Sequence, residues 1–253
     1  MVLAVRAVFP PSYDYYHGLV VVISSAENRW SVDDAGQDIA LTIWIIGSLI
    51  IAATMTVQSI DLSYPLDPFN MSFYPGDPPY TCSPHATVPE HGYSVQALSL
   101  CTHTGTHVDA PSHFFAQAKS IDQIPSLPSY APPLSSILSI GDRSDAIVLI
   151  RTDWCKHWGK PEYVNHPFLD ADAARQLVAR GVSAIGIDTL SPDETEGAAN
   201  DFGVHQAILG AGGLIVENLK NLAAIPEGAF VNFVPLNLKD GDGSPVRAFA
   251  YVP

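Results

Sequence analysis

The chain has 253 residues, 47% hydrophobic and 15% charged, enough to bury a substantial core in one large or two small domains. Its 26 acids against 12 bases give a net charge of −14, which argues against nucleic acid as a partner, since neutralising phosphates takes clustered Lys and Arg. Cys82, Cys101 and Cys155 match no zinc-ribbon or CxxC spacing and read as free thiols, two of them buried.

Residues 1–54 differ from the remainder in carrying Pro10-Pro11, a tyrosine cluster and acids at Asp33, Asp34 and Asp38. Residues 39–57, IALTIWIIGSLIIAATMTV, hold no charge and reach the length of ~20 residues that a membrane-spanning helix needs, although Thr42, Gly47, Ser48 and Thr54 weaken the apolar signal. A signal peptide fits poorly, because the preceding region is long and has more acids than bases. Three readings stay open: a membrane anchor, an extension irrelevant to activity, or an element packed on the catalytic domain. As an anchor, Arg6 and Arg29 would leave the N-terminus cytoplasmic and the catalytic part opposite. Otherwise the expected location is the cytoplasm. The expected division is an extension, 1–54, and a catalytic domain, 55–253.

From residue 55 the chain reads as a strand followed by Pro-punctuated loops, with a tight turn at Tyr74-Pro75-Gly76-Asp77. Alternation of Tyr93, Val95, Ala97 and Ser99 predicts a second strand leading into HTGTHVDAPSHF at 103–114. Extended, that segment would put His103, Gly105, His107 and Asp109 on one face. A straight strand nevertheless separates His103 from Asp109 by ~20 Å at ~3.3 Å per residue, too far for one ion with ~2 Å ligand bonds. The spacing therefore predicts a kink at Gly105, and a further turn at Pro111 that swings His113 back to the same centre. The bland alternative, satisfied core or surface histidines, suits any one of them but not four donors together. Cys101 lies two residues before His103, yet nothing nearby resembles a Cys-His nucleophile pattern. Phe114 and Phe115 are expected in the core rather than on a pocket wall.

Residues 121–139 are proline-rich and expected to wrap the surface, with one short piece around Leu134, Ile137 and Leu138. Residues 146–151 suit a buried strand, and the loop at 152–158 is placed to lie over a pocket. His157 and His166 read as surface residues. Residues 167–181 predict a helix capped by Asp170 or Asp172, with Ala173, Ala174, Leu177 and Val178 as its apolar stripe and Gly181 as its stop. Residues 182–188 form the next strand, so a parallel pair with a right-handed crossover is expected. Asp188 at its end is expected to hold the active-site loop by hydrogen bonds. The acids between 191 and 203 read as a solvated loop. A short helix at 202–209, a break at 210–213 and a strand at 214–217 follow. Glu217 closes a run of Leu, Ile and Val, where a carboxylate is costly to bury unless paired or bound to a cation. Glu217 and His205 are therefore further candidate ligands. Apolar segments at 230–238 and 246–252 complete a sheet, and the whole reads as mixed α/β.

HTGTHVDAPSHF resembles the HxGTHxDxPxH signature of the metal-dependent cyclase-like hydrolases, a family that includes bacterial-type kynurenine formamidases and isatin hydrolases. YPGD at 74–77, RTDW at 151–154, GIDTLSPD at 186–193 and HQAILGAGGLIVENL from His205 agree in order. The similarity covers 55–253, and nothing in it accounts for 1–54. It implies a single swivelling β/β/α-type catalytic domain with a mixed sheet. It also implies that His103, His107 and Asp109 bind a divalent metal. In formamidase-like members His113, His205 and Glu217 complete a two-metal site with Asp109 and Glu217 shared; in members using one manganese ion the His113 position acts on the catalytic water. Zn and Mn, one ion or two, stay open. The implied reaction is hydrolysis of a small aryl formamide such as N-formylkynurenine by metal-activated water, with His113 or His205 carrying the proton to the departing nitrogen. Lactam or lactone ring opening, a cyclisation or dehydration, a non-catalytic metal-binding module and a scaffold tethered through 39–57 are the alternatives. Family members associate into dimers or larger assemblies, which implies a homo-oligomer here. Substrate choice is expected to lie in the loops at 71–80 and 152–158.

Overall fold

A computed structural model describes residues 59–124, 128–130, 146–195, 201–226 and 229–251. The expectations for residues 39–57 and for the piece around Leu134 lie outside them. The strands are β1 (Ser59–Asp61), β2 (Thr81–Ala86), β3 (Val95–Ser99), β4 (His107–Asp109), β5 (Pro128–Tyr130), β6 (Ala146–Ile150), β7 (Val182–Ile187), β8 (Leu214–Glu217), β9 (Phe230–Pro235) and β10 (Gly243–Tyr251). The α-helices are α1 (Val88–His91), α2 (Ala171–Ala179) and α3 (Gly203–Gly210).

One mixed sheet runs in the order β5-β9-β10-β4-β8-β7-β6, with β1 also paired to β10. β6, β7 and β8 are parallel, as continuous apolar runs joined by helices require, and the other pairings are antiparallel. This is the mixed α/β architecture expected. β4 lies between β10 and β8, in a register that sets His107 opposite Glu217, and Asp109 between Ile215 and Gly243. The alternation of side chains along these strands then decides which face carries chemistry. Ile215, Ile185 and Val148 pack under α2 and α3 with Val204, Ile208 and Leu209. His107, Asp109 and Glu217 share the parity of Ile215, so they face α3. Val108, Val216, Ala184 and Ile147 point the other way, into a second core with Val231 and Ala248. Fully burying one such aliphatic side chain contributes roughly 1.5–3 kcal/mol, so two filled faces hold β4 and β8 rigidly.

α2 begins where Asp170 accepts from the N–H groups of Asp172 and Ala173 at 2.8 and 3.1 Å, which identifies Asp170 as its cap. β3 leads toward the histidine cluster, as expected; among the described residues it pairs only with β2, and all five of its residues are exposed. Two expectations are corrected. All three cysteines are free, as expected, yet none is buried. His166 is buried, between the Pro167 carbonyl at 2.9 Å and Thr195 Oγ1 at 2.7 Å. No helix among the described residues is long and apolar enough to cross a membrane.

Candidate metal centre

Four donors come from one bend. Gly105 has φ +66°, a left-handed backbone that calls for glycine at the predicted kink, and a Cβ there would also push on Leu66 Cδ2. The kink takes His103 off the strand; only His107 and Asp109 share its face. Pro111 opens a single 3-10 turn, Pro111–His113, in which His113 N–H donates to Ala110 O at 2.9 Å. That turn brings the His113 ring within 4.0 Å of the His103 ring. β8 supplies Glu217 opposite His107, and α3 supplies His205 from above. Asn218 ties the halves together, donating from Nδ2 to Gly105 O at 3.0 Å while its own carbonyl accepts from Thr106 Oγ1 at 2.7 Å.

The hydrogen bonds fix two tautomers. His107 donates from Nδ1 to Gly105 O at 2.9 Å, and His205 donates from Nδ1 to Asp193 Oδ2 at 2.6 Å, so in neutral rings both Nε2 atoms carry lone pairs. His107 Nε2 lies 3.3 Å from Asp109 Oδ1 and 3.3 Å from Glu217 Oε2. His205 Nε2 lies 3.6 Å from Asp109 Oδ2 and 3.5 Å from Glu217 Oε1. His107 Nε2 and Asp109 Oδ2 are fully buried without a hydrogen-bond partner, an arrangement that costs roughly 1–3 kcal/mol per group when nothing compensates it. Ligand atoms at ~2.1 Å from a shared ion lie roughly 3.0–3.4 Å apart, close to these separations. The donor atoms of His103, His107 and Asp109 lie within 4.8 Å of one another, and so do those of Asp109, His205 and Glu217. Imidazoles interleaved with carboxylates in this way fit a divalent cation, and Asp109 belongs to both groups.

Without a cation the same lone pairs attract protons. Burial disfavours charge on His103, but hydrogen bonds to Asp109 and Asp242 outweigh it and raise the ring to about 9. Burial is likewise outweighed at His107 and His205, which the carboxylates hold well above the usual histidine value. Burial pushes Asp109 and Glu217 up, yet the imidazoles bring both below the ordinary carboxylate range. Burial dominates only at His113, which is lowered.

A cavity of about 290 Å³ opens over these donors, walled by Tyr74, Phe114, Leu190 and Phe202. Phe114 stacks on His205 with centroids 4.8 Å apart and meets Phe202 at 5.4 Å. It packs against the core under α2 and α3, as expected, and walls the pocket as well; Phe115 is 38% exposed and is not core. Tyr74 and Asp77 bring the 71–80 loop to the rim, but no residue of 152–158 lines the cavity. That second loop is nonetheless held as expected: Asp188 Oδ1 accepts from the Thr152 N–H at 2.8 Å and hydroxyl at 2.7 Å, and its Oδ2 accepts from Asp153 N–H at 2.9 Å. Tyr64 stacks on Trp158 at 4.1 Å. His157 is half-buried against Trp154 rather than free on the surface.

Sequence reasoning missed two acids. Asp193, expected in a solvated loop, is buried and accepts from Val204 N–H, His205 N–H and His205 Nδ1 at 2.8, 3.0 and 2.6 Å. Asp242 Oδ2 lies 3.2 Å from His103 Nε2 and 3.3 Å from His113 Nδ1, and its hydrogen bond to His103 holds the carboxyl well below its usual range. No spacing signal separates Asp193 from the exposed Asp201, or Asp242 from Asp240.

Comparison with known proteins agrees with this arrangement. The family model described as "Putative cyclase" matches residues 60–135 and 136–194. A kynurenine formamidase of Bacillus cereus (strain ATCC 14579) is 32% identical over 208 residues, covering 76% of this chain and 97% of that protein. One from Paracidovorax citrulli is 33% identical over 209 residues, covering 71% and 90%. The solved structure of isatin hydrolase A from Labrenzia aggregata bound to benzyl benzoate superposes with a TM-score of 0.68 at 29% identity, covering 79% of this chain and 96% of that one.

Proposed function

The chain belongs to the cyclase family of metal-dependent hydrolases that act on C–N bonds other than peptide bonds, and from that premise we propose that it hydrolyses a small aryl formamide of the N-formylkynurenine kind. The observation that carries the reading is the pair of buried, unpartnered acceptors, His107 Nε2 and Asp109 Oδ2, facing a second carboxylate at Glu217. His103, His107, Asp109, His205 and Glu217 would hold the ion or ions, with His113 at the edge of the cluster. A divalent cation supplies Lewis acidity, polarising an amide carbonyl and making water nucleophilic at neutral pH.

The chain's own residues do the rest. Phe114, Phe202, Leu190 and Tyr74 form an apolar slot for an aromatic ring beside the donors, and the stack of Phe114 on His205 fixes the slot's floor. His113 Nδ1 is engaged by Asp242, which leaves Nε2 as the nitrogen available to substrate. Burial lowers its pKa, so it is neutral at pH 7 and can take a proton from water and return it to the departing aniline nitrogen.

Imidazole donors suit zinc and the added carboxylates suit manganese, and loading metal-free protein with each ion decides between them. Changing His107 or Asp109 to Ala is expected to abolish both metal uptake and turnover of N-formylkynurenine; retained activity in either variant refutes the proposal. A second reading, lactam ring opening, is favoured by the likeness to isatin hydrolase A, and turnover of isatin in place of the formamide would select it. We also infer that residues 55–253 suffice, because the Bacillus cereus relative is matched over 97% of its length by 76% of this chain. Deleting 1–54 is expected to leave turnover intact.

A further inference from the structure

Asp242 lies outside the donor set read from the sequence, and its neighbours indicate its task. It closes the turn before β10, where its carbonyl accepts from Ala110 N–H at 2.9 Å and so binds the turn to the end of the segment bearing Asp109. Its Oδ2 faces two imidazoles at once, His103 Nε2 at 3.2 Å and His113 Nδ1 at 3.3 Å. The next residue, Gly243, makes room for this approach, since a Cβ there would sit 2.9 Å from His103 Cε1.

An imidazole that donates from one ring nitrogen to a carboxylate presents a lone pair on the other. For His103 that other nitrogen is Nδ1, 2.8 Å from Asp109 Oδ1 and on the donor side of the ring. For His113 it is Nε2. In the metal-free protein a proton holds His103 Nδ1 and Asp109 Oδ1 this close, and a cation bound there would take its place. The same division of labour holds elsewhere in the site: Gly105 O takes the far nitrogen of His107, and Asp193 takes that of His205. Two rings, His103 and His113, are left, and one carboxylate serves both.

We propose that Asp242 is a positioning residue of the metal centre, a single carboxylate that accepts from His103 and His113 together, turning the lone pair of His103 toward the ion and that of His113 toward the water and substrate beside it. The proposal rests on the metal-centre reading above. Its removal releases two rings, one from the kink before β4 and one from the turn after it, so its effect reaches both sides of the cluster.

Titration of metal-free full-length protein with Zn²⁺ against a chromogenic chelator tests this. Asp242→Ala is expected to weaken uptake roughly 10- to 100-fold, the usual loss when an outer partner of a ligating histidine is removed. Asp242→Asn keeps the shape and one acceptor oxygen but loses the negative charge that holds both imidazoles, and is expected to weaken uptake in the same direction. Melting of the metal-free variants is expected to fall with the lost His103 bond, and circular dichroism checks that they fold before titration. Asp240→Asn removes the same charge two residues away, at an exposed position whose φ of +56° asparagine tolerates, and is expected to bind like the parent. Zn²⁺ affinity of the Asp242 variants equal to the parent's overturns the proposal, as does an equal loss in Asp240→Asn, which would assign the effect to net charge. If Asp242→Ala does not fold, Asp242→Asn decides alone. A parent that takes up no divalent ion refutes the metal-centre reading itself, whereas a parent that binds and variants that bind equally refute only the role of Asp242.

Discussion

Replacing Asp193 with Asn tests how the far half of the site is held. The carboxylate spans the first turn of α3, accepting from the N–H groups of Val204 and His205, and it also accepts from His205 Nδ1 at 2.6 Å. Asparagine keeps one acceptor oxygen, so one or both backbone bonds can persist through it, but its amide nitrogen then faces a second donor. The lost charge-assisted bond to the imidazole is worth roughly 1.5–3 kcal/mol, and the lost anion at a helix N-terminus about 0.3–1 kcal/mol more. The side chain is 8% exposed, so solvent screens little of this. Urea unfolding of metal-free protein should therefore show the variant less stable by about 2–4 kcal/mol. Burial works against ionisation of Asp193, but its hydrogen bonds hold the pKa below 3.8, so this stabilisation is present above 3.8 and lost as pH falls through the lower folded value. The gap between parent and variant should close in acid. With His205 no longer held in one tautomer, Zn²⁺ affinity should fall roughly 10- to 100-fold. Equal stability at pH 7 together with unchanged metal affinity would refute the reasoning.

The metal-free protein should also respond to alkali. His103 is raised to about 9, so its contribution, of order 3 kcal/mol at most, is present below 6.5 and lost as pH rises through 9; melting curves between pH 6 and 10 check this. An ion must displace that proton, so apparent Zn²⁺ affinity should rise with pH up to about 9, and a flat profile would count against His103 as a ligand. Gly243→Ala forces a Cβ to within 2.9 Å of both His103 Cε1 and Val108 O, and should cost roughly 1–3 kcal/mol by thermal unfolding while weakening metal uptake. Phe114→Ala removes the slot's stacking face, and steady-state kinetics should show KM for an aryl formamide raised roughly three- to tenfold with kcat changed less.

Much of the architecture was legible in the sequence, because elements with a strong local signal need little context. The apolar runs that became β6, β7 and β8 announce strands buried on both faces, and Asp170 before an apolar stripe marks the start of α2. The bend in the donor segment was readable for the same reason: four donors for one centre cannot lie on a straight strand, and Gly105 and Pro111 are the residues able to turn the chain. Glu217 stood out because a carboxylate at the end of a buried run requires a partner.

Burial of single polar residues was not legible. His166 and Asp193 lie in stretches whose composition is that of a solvated loop, and whether such a group meets water or a partner depends on what folds over it. Asp193 is buried only because α3 presents two N–H groups and an imidazole to it. Phe114 packs against a core, as expected, but its second place on the pocket wall arises only because His205 comes to its face from a helix ninety residues away. The sequence by itself determined the candidate donors, the kink and the order of elements, since these follow from residue type and local backbone preference. The tertiary structure alone decided that β4 lies between β8 and β10, facing α3. That juxtaposition sets Glu217 and His205 against the donor segment, and brings the Asp242 carboxylate to the two histidines beside it. It comes from long-range packing of both sheet faces, which leaves no trace in local spacing.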